Sequence, residues 1–238
     1  MSKVAFLFHG RLNDFLQWVH KNQRIVLQFR RQQSIKHLVE SLGVPHPELG
    51  IIQVNGQNDS WARIAQDADE VEVFPIDDGF LNEPLFLLDC HLGRLTAYLR
   101  MLGFDCLYQN NYDDLTMAKV IQEDERILLT RDRRLLMRKV IQHGYCLRSL
   151  NPMNQLMEVI SRFELMNRSQ SFHRCLRCNH PLLPVEKGMI LDRLKPLTKQ
   201  YFDEFHICPG CNQIYWKGSH FTRMRSLIEQ TRNITGTV

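Results

Sequence analysis

Four of the seven cysteines form two matched pairs near the C-terminal end of the chain. The pairs are Cys175-Leu-Arg-Cys178 and Cys208-Pro-Gly-Cys211. Each pair can form a tight turn that directs two thiolates to one point, and four thiolates in a tetrahedron are a closed, structural zinc site. The alternatives are a redox dithiol and four unrelated buried thiols. The odd number of cysteines does not fit a secreted disulfide scaffold and favours a reducing cytoplasm.

Several aspartates lie where predicted strands end. Asp89 directly follows an apolar run, Asp132 follows a second strand-like run, and Asp113 and Asp114 open a helix behind a third strand. The carboxyl ends of parallel strands border one crevice, so we expect these carboxylates to converge. Like charges need a compensating cation, and oxygen ligands suit Mg²⁺ or Mn²⁺, which can activate water beside a phosphodiester. The alternative role of Asp113, Asp114 or Asp132 is to cap a helix.

Basic side chains flank the aspartates in the sequence. They are Arg94, Arg131, Arg133 and Arg134. The pattern predicts that these guanidinium groups hold phosphate oxygens, and the alternative is an ordinary solvated helix face. His91 lies two residues after Asp89, where it would contact a leaving group or a metal, or serve a structural role.

Aromatic and basic residues also follow the second cysteine pair. They are Tyr215, Trp216, Lys217, Arg223 and Arg225. Charge together with ring stacking is typical of surfaces that bind single-stranded nucleic acid. The alternative for Tyr215 and Trp216 is packing around the zinc-binding turns.

The elements that must position these residues differ in three stretches of the chain. Residues 1–82 show the order strand, strand, helix, strand, strand, with Ser34 as a helix N-cap and Gly43 after the helix end. The turn Asn55-Gly56 follows a further strand. This order predicts a small ubiquitin-like β-grasp domain.

Residues 83–167 change to a regular alternation of strands and helices. Repeated βα units of this length predict a parallel, doubly wound sheet. The predicted helices cover about residues 92–102, 113–124, 133–142 and 152–165. Residues 168–238 contain the cysteine pairs and little helical periodicity, which predicts a small zinc-binding domain with a C-terminal tail. The fold class is therefore α/β with three consecutive domains.

Composition and charge support this interpretation. The 238 residues are 44% hydrophobic and 24% charged, and no apolar run is long enough for a membrane helix. Residues 1–83 carry a net charge of −3, residues 84–168 of +2 and residues 169–238 of +5. The basic C-terminal third favours a polyanionic partner such as nucleic acid, although ordinary solubilising charge is the alternative.

Several segments resemble a known family. They are Phe86-Leu-Leu-Asp-Cys-His-Leu-Gly-Arg-Leu95, Leu99-Arg-Met-Leu-Gly-Phe-Asp105, Arg126-Ile-Leu-Leu-Thr-Arg-Asp-Arg133, the two cysteine pairs and Tyr215-Trp-Lys-Gly-Ser-His220. Together they resemble the Mut-seven C-terminal ribonuclease family, which is similar to the PIN-domain nucleases. Upstream, Leu42-Gly-Val-Pro-His-Pro-Glu48 and Val54-Asn-Gly56 resemble the ubiquitin-like β-grasp module often fused in front of that domain. The resemblance covers about residues 4–225.

The resemblance implies a PIN-like Rossmannoid core, a zinc ribbon and metal-dependent cleavage of RNA. It places Asp89 and Asp132 at acidic positions of the family's site and favours Asp114 for the middle position. A further acidic residue is typical of PIN sites, but Ser149 or Asn151 occupies the expected region. The β-grasp part lacks the free C-terminal Gly-Gly of sulfur carriers and ubiquitin, so conjugation and sulfur transfer are not expected.

Two hypotheses of different classes follow. The first is a cytoplasmic endoribonuclease in which aspartates hold Mg²⁺ or Mn²⁺, water cleaves the phosphodiester, and a structural zinc ribbon helps to bind RNA. The second is a non-catalytic RNA-binding adaptor whose β-grasp module recruits a protein or ribosomal partner. Cleavage of DNA instead of RNA differs from the first hypothesis only in the substrate. No membrane partner is expected.

Overall fold

The structure is a computed structural model that describes residues 1–77, 84–170, 173–219, 221–222, 225–226 and 229, with the backbone alone for Asp114. The described strands are β1 (Ser2–Phe8), β2 (Ile25–Phe29), β3 (Leu49–Val54), β4 (Gln57–Asp59), β5 (Asp69–Pro75), β6 (Phe86–Leu88), β7 (Cys106–Leu107), β8 (Ile127–Thr130), β9 (Gly144–Cys146), β10 (Leu183–Val185), β11 (Phe205–Ile207) and β12 (Ile214–Tyr215). The described α-helices are α1 (Ile35–Ser41), α2 (Gly93–Met101), α3 (Asp114–Asp124), α4 (Arg133–Leu136), α5 (Pro152–Arg162) and α6 (Pro196–Tyr201).

The chain divides into two compact units. One consists of Met1–His91 with Gln109–Arg148, and the other of Leu92–Tyr108 with Ser149–Val238. The fold is mixed α/β and contains several sheets, one of them with parallel strands. Among the described residues, no helix combines the length and the apolar character needed to cross a bilayer.

The first half of the first unit is a five-stranded sheet in the order β2-β1-β5-β3-β4. Its central strand pair, β1 and β5, is parallel, and the other pairs are antiparallel. Helix α1 begins behind Ser34, whose hydroxyl accepts a hydrogen bond from the N–H of His37 at 3.3 Å. The chain leaves the helix at Gly43, where a φ of +91° favours glycine. The order agrees with the prediction from the sequence except for β4, a short strand that was not predicted.

Strand β8 lies between β6 and β9 and pairs with both in parallel. Leu88 lies opposite Leu129, and Thr130 lies opposite Cys146. Every residue of β6 and β8 is buried, as expected for parallel strands that are covered on both faces. The carboxyl ends of β6 and β8 therefore lie side by side.

The predicted helix over residues 133–142 is wrong in length, because α4 ends at Leu136. The reason lies in Ile141, whose side chain is fully buried and whose carbonyl accepts a hydrogen bond from Nε2 of His46 at 2.7 Å. The chain must leave the helical path to make both contacts before β9 begins. Tertiary packing here overrides local helical propensity.

A buried group of charges joins the ubiquitin-like sheet to the parallel strands within the first unit. Glu48 is fully buried, and its Oε1 accepts hydrogen bonds from the N–H of Cys146 at 2.8 Å and from Nη1 of Arg148 at 3.1 Å. Its Oε2 lies 3.8 Å from Nε of Arg11. We call Arg11, Glu48 and Arg148 the Glu48 cluster. It is a structural tie between two parts of the chain that are far apart in sequence.

In the second unit, α2 and α5 pack against each other, and β11 pairs antiparallel with both β10 and β12. The chain turns away from α2 at Gly103, whose φ is +98°. A Cβ at this position would clash with the carbonyl oxygen of Gln170, so only glycine fits. The small sheet packs around an apolar cluster formed by Ile190, Leu194, Phe205 and Ile214.

Candidate active site and metal centre

Asp89 directly follows β6 and is buried, with 7% of its surface exposed. Its Oδ1 accepts a hydrogen bond from the N–H of His91 at 2.7 Å, which closes a local turn. Its Oδ2 accepts a hydrogen bond from the hydroxyl of Thr130 at 2.6 Å. Both carboxylate oxygens are therefore held in place, and both donors are neutral.

Thr130 links the ends of the two neighbouring strands. The residue is fully buried, and its Oγ1 also accepts a hydrogen bond from the N–H of Asp132 at 3.0 Å. The Asp132 carboxylate is exposed, and its Oδ1 caps α4 by accepting from the N–H of Arg134 at 2.8 Å. The structure thus brings Asp89 and Asp132 to adjacent strand ends, as the sequence predicts. Asp132 also has the capping role that was the alternative.

The charge of Asp89 has no cationic partner in the described part of the chain: its hydrogen bonds come from a hydroxyl and an amide. A buried carboxylate without an opposite charge is costly. Asp89, Cys90 and His91 each offer one ligand atom, and these atoms lie within 4.8 Å of one another. A divalent cation at this position would balance the carboxylate. The carboxylate oxygen of Asp89 suits Mg²⁺ or Mn²⁺, whereas the thiol of Cys90 and the imidazole of His91 are ligands that softer metals prefer.

Asp113 and Asp114 stand at the start of α3. Asp113 is the N-cap, and its Oδ1 accepts a hydrogen bond from the N–H of Thr116 at 2.7 Å. This bond stabilises the charged form and lowers the pKa of the Asp113 carboxyl. Asp114 is the first residue of the helix, and its side chain lies outside the described part of the chain. Its assignment as the middle acidic residue stays a prediction.

The arginines predicted to bind phosphate have different environments. Arg131 is exposed directly after β8, and Arg94 is exposed on α2, which belongs to the second unit. Arg133 donates from Nη1 to the carbonyl of Phe15 at 2.9 Å, and its guanidinium group lies 5.0 Å from the centre of the Phe15 ring. Arg133 therefore has a structural contact within the first unit. The phosphate role of all three side chains stays a prediction.

The four cysteine sulfurs of the two pairs lie within 4.8 Å of one another. Sγ of Cys175 is 3.5 Å from Sγ of Cys211, and Sγ of Cys178 is 3.3 Å from Sγ of Cys208. Four sulfurs in a tetrahedron around zinc would be about 3.8 Å apart, given a Zn–S bond of about 2.3 Å. The cluster could therefore bind zinc, and it leaves no position for a substrate.

The two cysteine pairs have the same backbone geometry. In each, the N–H of the residue after the second cysteine donates to the carbonyl of the first cysteine, at 3.0 Å for Asn179 and 2.8 Å for Asn212. Both asparagines have positive φ, 69° and 58°. Asparagine tolerates this left-handed conformation better than most residues. The pattern Cys-x-x-Cys-Asn, present twice in the sequence, is the signal that sequence reasoning missed.

Two of the cysteine thiols have strongly shifted pKa values. Burial, together with hydrogen bonds to neighbouring cysteine sulfurs that favour the neutral thiol, raises the pKa of Cys178 to about 12. Burial opposes ionisation of Cys175 as well, but hydrogen bonds from the Tyr215 hydroxyl and from backbone N–H groups outweigh it and lower the pKa of Cys175 to about 6. The thiols cannot all ionise at such short distances without a cation.

Buried polar contacts attach the first cysteine pair to α2 and β7 within the second unit. Arg100 is 3% exposed and donates from Nη1 to the carbonyls of Leu176 and Arg177, each at 3.0 Å. Nε and Nη2 of the same guanidinium group both donate to the carbonyl of Cys106. Burial lowers the pKa of Arg100. The side chain of Asn179 adds a bond from the N–H of Cys106 at 3.1 Å.

The residues predicted to bind RNA near the second pair have protein contacts too. The Tyr215 hydroxyl lies 3.1 Å from Sγ of Cys175, so this tyrosine supports the cysteine cluster. Trp216 packs at a tilt against Phe202, with ring centres 6.3 Å apart. Lys217 pairs with Glu204 at 3.0 Å on the surface. Arg225 pairs with Glu229, and Arg223 lies outside the described residues.

These features define a mixed α/β protein with a ubiquitin-like N-terminal sheet, two aspartates at neighbouring parallel strand ends and a four-cysteine cluster. The chain belongs to the Mut7-C RNAse domain family, which matches residues 84–228. The Mut7-C ubiquitin family matches residues 1–80. The family description points to a nuclease-like function.

No curated protein matches the chain. A similar solved structure is a putative molybdopterin converting factor, subunit 1, from Pyrococcus furiosus. It is 19% identical, and the match covers 32% of this chain and 100% of that one with a TM-score of 0.26.

Proposed function

We propose that the protein is a metal-dependent endoribonuclease. The observation that carries the proposal is the buried Asp89 carboxylate, fixed by two neutral donors at the end of a parallel strand with Asp132 at the end of the next. Membership of a family named for its ribonuclease domain supports the same conclusion. A buried anion at one strand end, with a second carboxylate at the neighbouring strand end, is suited to a divalent cation and, through it, to a phosphodiester.

Each residue has a defined part in this proposal. Asp89, Asp114 and Asp132 hold one or two Mg²⁺ or Mn²⁺ ions, which when bound neutralise developing charge and acidify water. Thr130 orients Asp89 by donating its hydroxyl proton to Oδ2. Arg131, exposed beside Asp132, is placed to bind a phosphate oxygen of the RNA, and Arg94 and Lys217 bind the strand elsewhere.

The proposal also covers the organisation of the chain. Residues 83–167 form a PIN-like nuclease core behind the ubiquitin-like domain of residues 1–82, and residues 168–238 form a zinc ribbon with a C-terminal tail. Zn²⁺ held by Cys175, Cys178, Cys208 and Cys211 is structural, because four sulfurs fill its tetrahedral sphere. The net charge of +5 over residues 169–238 supports RNA binding by this part. Free thiols of this kind are suited to the reducing cytoplasm.

A non-catalytic RNA-binding adaptor is the second candidate. The helix-capping hydrogen bonds of Asp113 and Asp132 favour it, because they show a structural role for these aspartates that does not require catalysis. In this candidate the ubiquitin-like domain recruits a protein or ribosomal partner, and Trp18, which is 84% exposed, provides an apolar contact. The adaptor would bind RNA with a strong dependence on salt but would not cleave it.

Cleavage of a labelled single-stranded RNA with Mn²⁺, Mg²⁺ or EDTA separates the two candidates. We expect Asp89→Asn and Asp132→Asn to lower the cleavage rate by about a hundredfold or more. Asparagine is as good an N-cap as aspartate, so Asp132→Asn removes the charge but keeps the cap of α4. The matched control is Glu123→Gln, an exposed carboxylate on α3 that pairs with Lys119.

The outcomes have distinct meanings. Metal-dependent cleavage that both variants lose and the control retains supports the nuclease. Equal cleavage by wild type and variants indicates a contaminating enzyme and refutes the catalytic assignment. Binding without cleavage in any metal supports the adaptor.

A further inference from the structure

The second unit contains a cavity of about 450 Å³ beside the cysteine cluster. Its wall is mostly apolar and aromatic and includes Leu176, Leu182, Phe202, Ile214, Tyr215 and Trp216. Arg174 and Gln213 supply polar groups to the same wall. The volume lies in the range of small-molecule sites, and a few polar groups in an apolar wall are typical of sites that orient a flat ligand.

The aromatic walls are fixed before any ligand arrives. The Tyr215 hydroxyl is held by the N–H of Leu176 and by Sγ of Cys175, each at 3.1 Å. The Trp216 ring is tilted against Phe202 and Phe205, with both centroid distances 6.3 Å. Rings that are already immobile lose little conformational entropy when a flat group stacks on them.

Gln213 retains a free hydrogen-bond acceptor. It donates from Nε2 to the carbonyl of Ile214 at 3.1 Å, while its Oε1 accepts no bond within the described part of the chain. Arg174 is held in the wall by Asp105, at 3.0 Å from Nη1, and by the carbonyl of Asn179 at 3.2 Å. A free amide acceptor beside a fixed guanidinium group matches the edge of a nucleobase, which carries hydrogen-bond donors.

We propose that this cavity receives one unstacked base of a bound RNA strand. Stacking on fixed rings suits a base, whereas an apolar peptide would leave the Oε1 acceptor of Gln213 without a partner. The net charge of +5 over residues 169–238 favours a polyanionic chain over a neutral ligand. The inference rests on the proposed function and deepens it: the cavity would make the enzyme select unpaired nucleotides.

The test compares two polymers of equal charge and length, a short oligoadenylate and its abasic ribose-phosphate counterpart. Binding is measured with the full zinc-loaded chain carrying Asp89→Asn, without added Mg²⁺ or Mn²⁺, so that the strand stays intact. We expect about tenfold tighter binding of the oligoadenylate, because stacking of one base contributes on this order. Phosphate contacts cancel in the comparison.

Two variants should reduce this preference. Trp216→Leu removes a stacking wall, and its matched control is Trp18→Leu at an exposed tryptophan of the ubiquitin-like domain. Gln213→Leu removes the free acceptor from a half-buried surface position and carries the test if Trp216→Leu does not fold. The control should keep the full preference, and the circular dichroism spectrum verifies folding of each variant.

Equal affinity of the unmutated cavity for both polymers would overturn the proposal and favour an apolar peptide as the occupant. Preference retained in both Trp216→Leu and Gln213→Leu would also overturn it, because the base would then bind elsewhere. These results leave the cleavage assay untouched. Conversely, if the cleavage assay shows no nuclease activity but oligoadenylate still binds more tightly than the abasic polymer, the proposed function is refuted and the base-binding role of the cavity stands.

Discussion

Replacement of Glu48 by glutamine should destabilise the ubiquitin-like domain and the parallel strands together. Glu48→Gln keeps the size and the carbonyl oxygen that accepts from Cys146, but it removes the fully buried negative charge that contacts both Arg11 and Arg148. Arg148 would then keep the half-exposed Asp14, whose Oδ2 lies 3.7 Å from its Nε, as an anionic partner. The substitution therefore isolates the charge of the Glu48 cluster from its packing.

The magnitude follows from the burial of the three side chains. Removing one partner of a fully buried ion pair costs about 3–5 kcal/mol. The Glu48 side chain is fully buried, but those of Arg11 and Arg148 keep 29% and 26% of their exposure, so water can solvate them in part. We therefore expect a loss near the lower end, about 3 kcal/mol. With a urea m-value of about 2–3 kcal/mol/M, the unfolding midpoint should fall by about 1–1.5 M.

Urea unfolding of wild type and variant, followed by far-ultraviolet circular dichroism, measures this change. The matched control is Glu70→Gln, which breaks the exposed pair of Glu70 with Arg24, where both side chains are 58% exposed. The control should leave the midpoint unchanged within error. An unchanged midpoint in Glu48→Gln would refute the reasoning. A separate early transition of the ubiquitin-like domain alone would refute the claim that the cluster joins the two parts.

Two further predictions concern the metal and the pH. After dialysis, we expect one zinc ion per chain. The zinc content should fall in Cys208→Ser but not in Cys146→Ser, whose buried thiol lies outside the cluster. Removal of zinc by a chelator should unfold the sheet β10–β12, and a sheet that resists the chelator would contradict a structural zinc. The Asp113 cap should stabilise α3 fully above the ordinary carboxyl pKa of 3.8 and lose this effect as the pH falls through the lowered folded-state pKa. Melting temperatures between neutral pH and acid should therefore drop less in Asp113→Ser, which keeps a cap without a titrating group, and equal drops would disprove the assignment.

Local signals in the sequence predicted most elements of the fold correctly. The N-cap at Ser34, the glycine that follows α1, and the apolar run at β6 each depend on neighbours in sequence. The length of α4 was not predictable in this way, because the burial of Ile141 and its contact with His46 decide where the helix ends. The hydrophobic periodicity of a segment contains no information on contacts with distant residues, so it cannot predict where such contacts end a helix.

The candidate site was predicted in part for the same reason. The positions of Asp89 and Asp132 follow from strand ends in a parallel sheet, which the sequence pattern contains. The role of Thr130 required the register of β6 and β8, since its hydroxyl reaches Asp89 across the strands. The burial of Glu48 depends on Arg148, which is distant in sequence. A glutamate after His-Pro is otherwise an ordinary surface residue.

The Glu48 cluster has a consequence for how this chain can evolve. Two family segments that meet only through a flexible connection can be exchanged between genes by recombination. Here, a nuclease segment transplanted without its Arg148 would leave the fully buried Glu48 with only the longer contact to Arg11, and a ubiquitin-like segment without its Glu48 would leave two neighbouring cations without their shared anion. The glutamate and the arginines should therefore be inherited, or lost, as a set. In related chains, substitutions at positions 48, 11 and 148 should be correlated, and the two segments should share one genealogy.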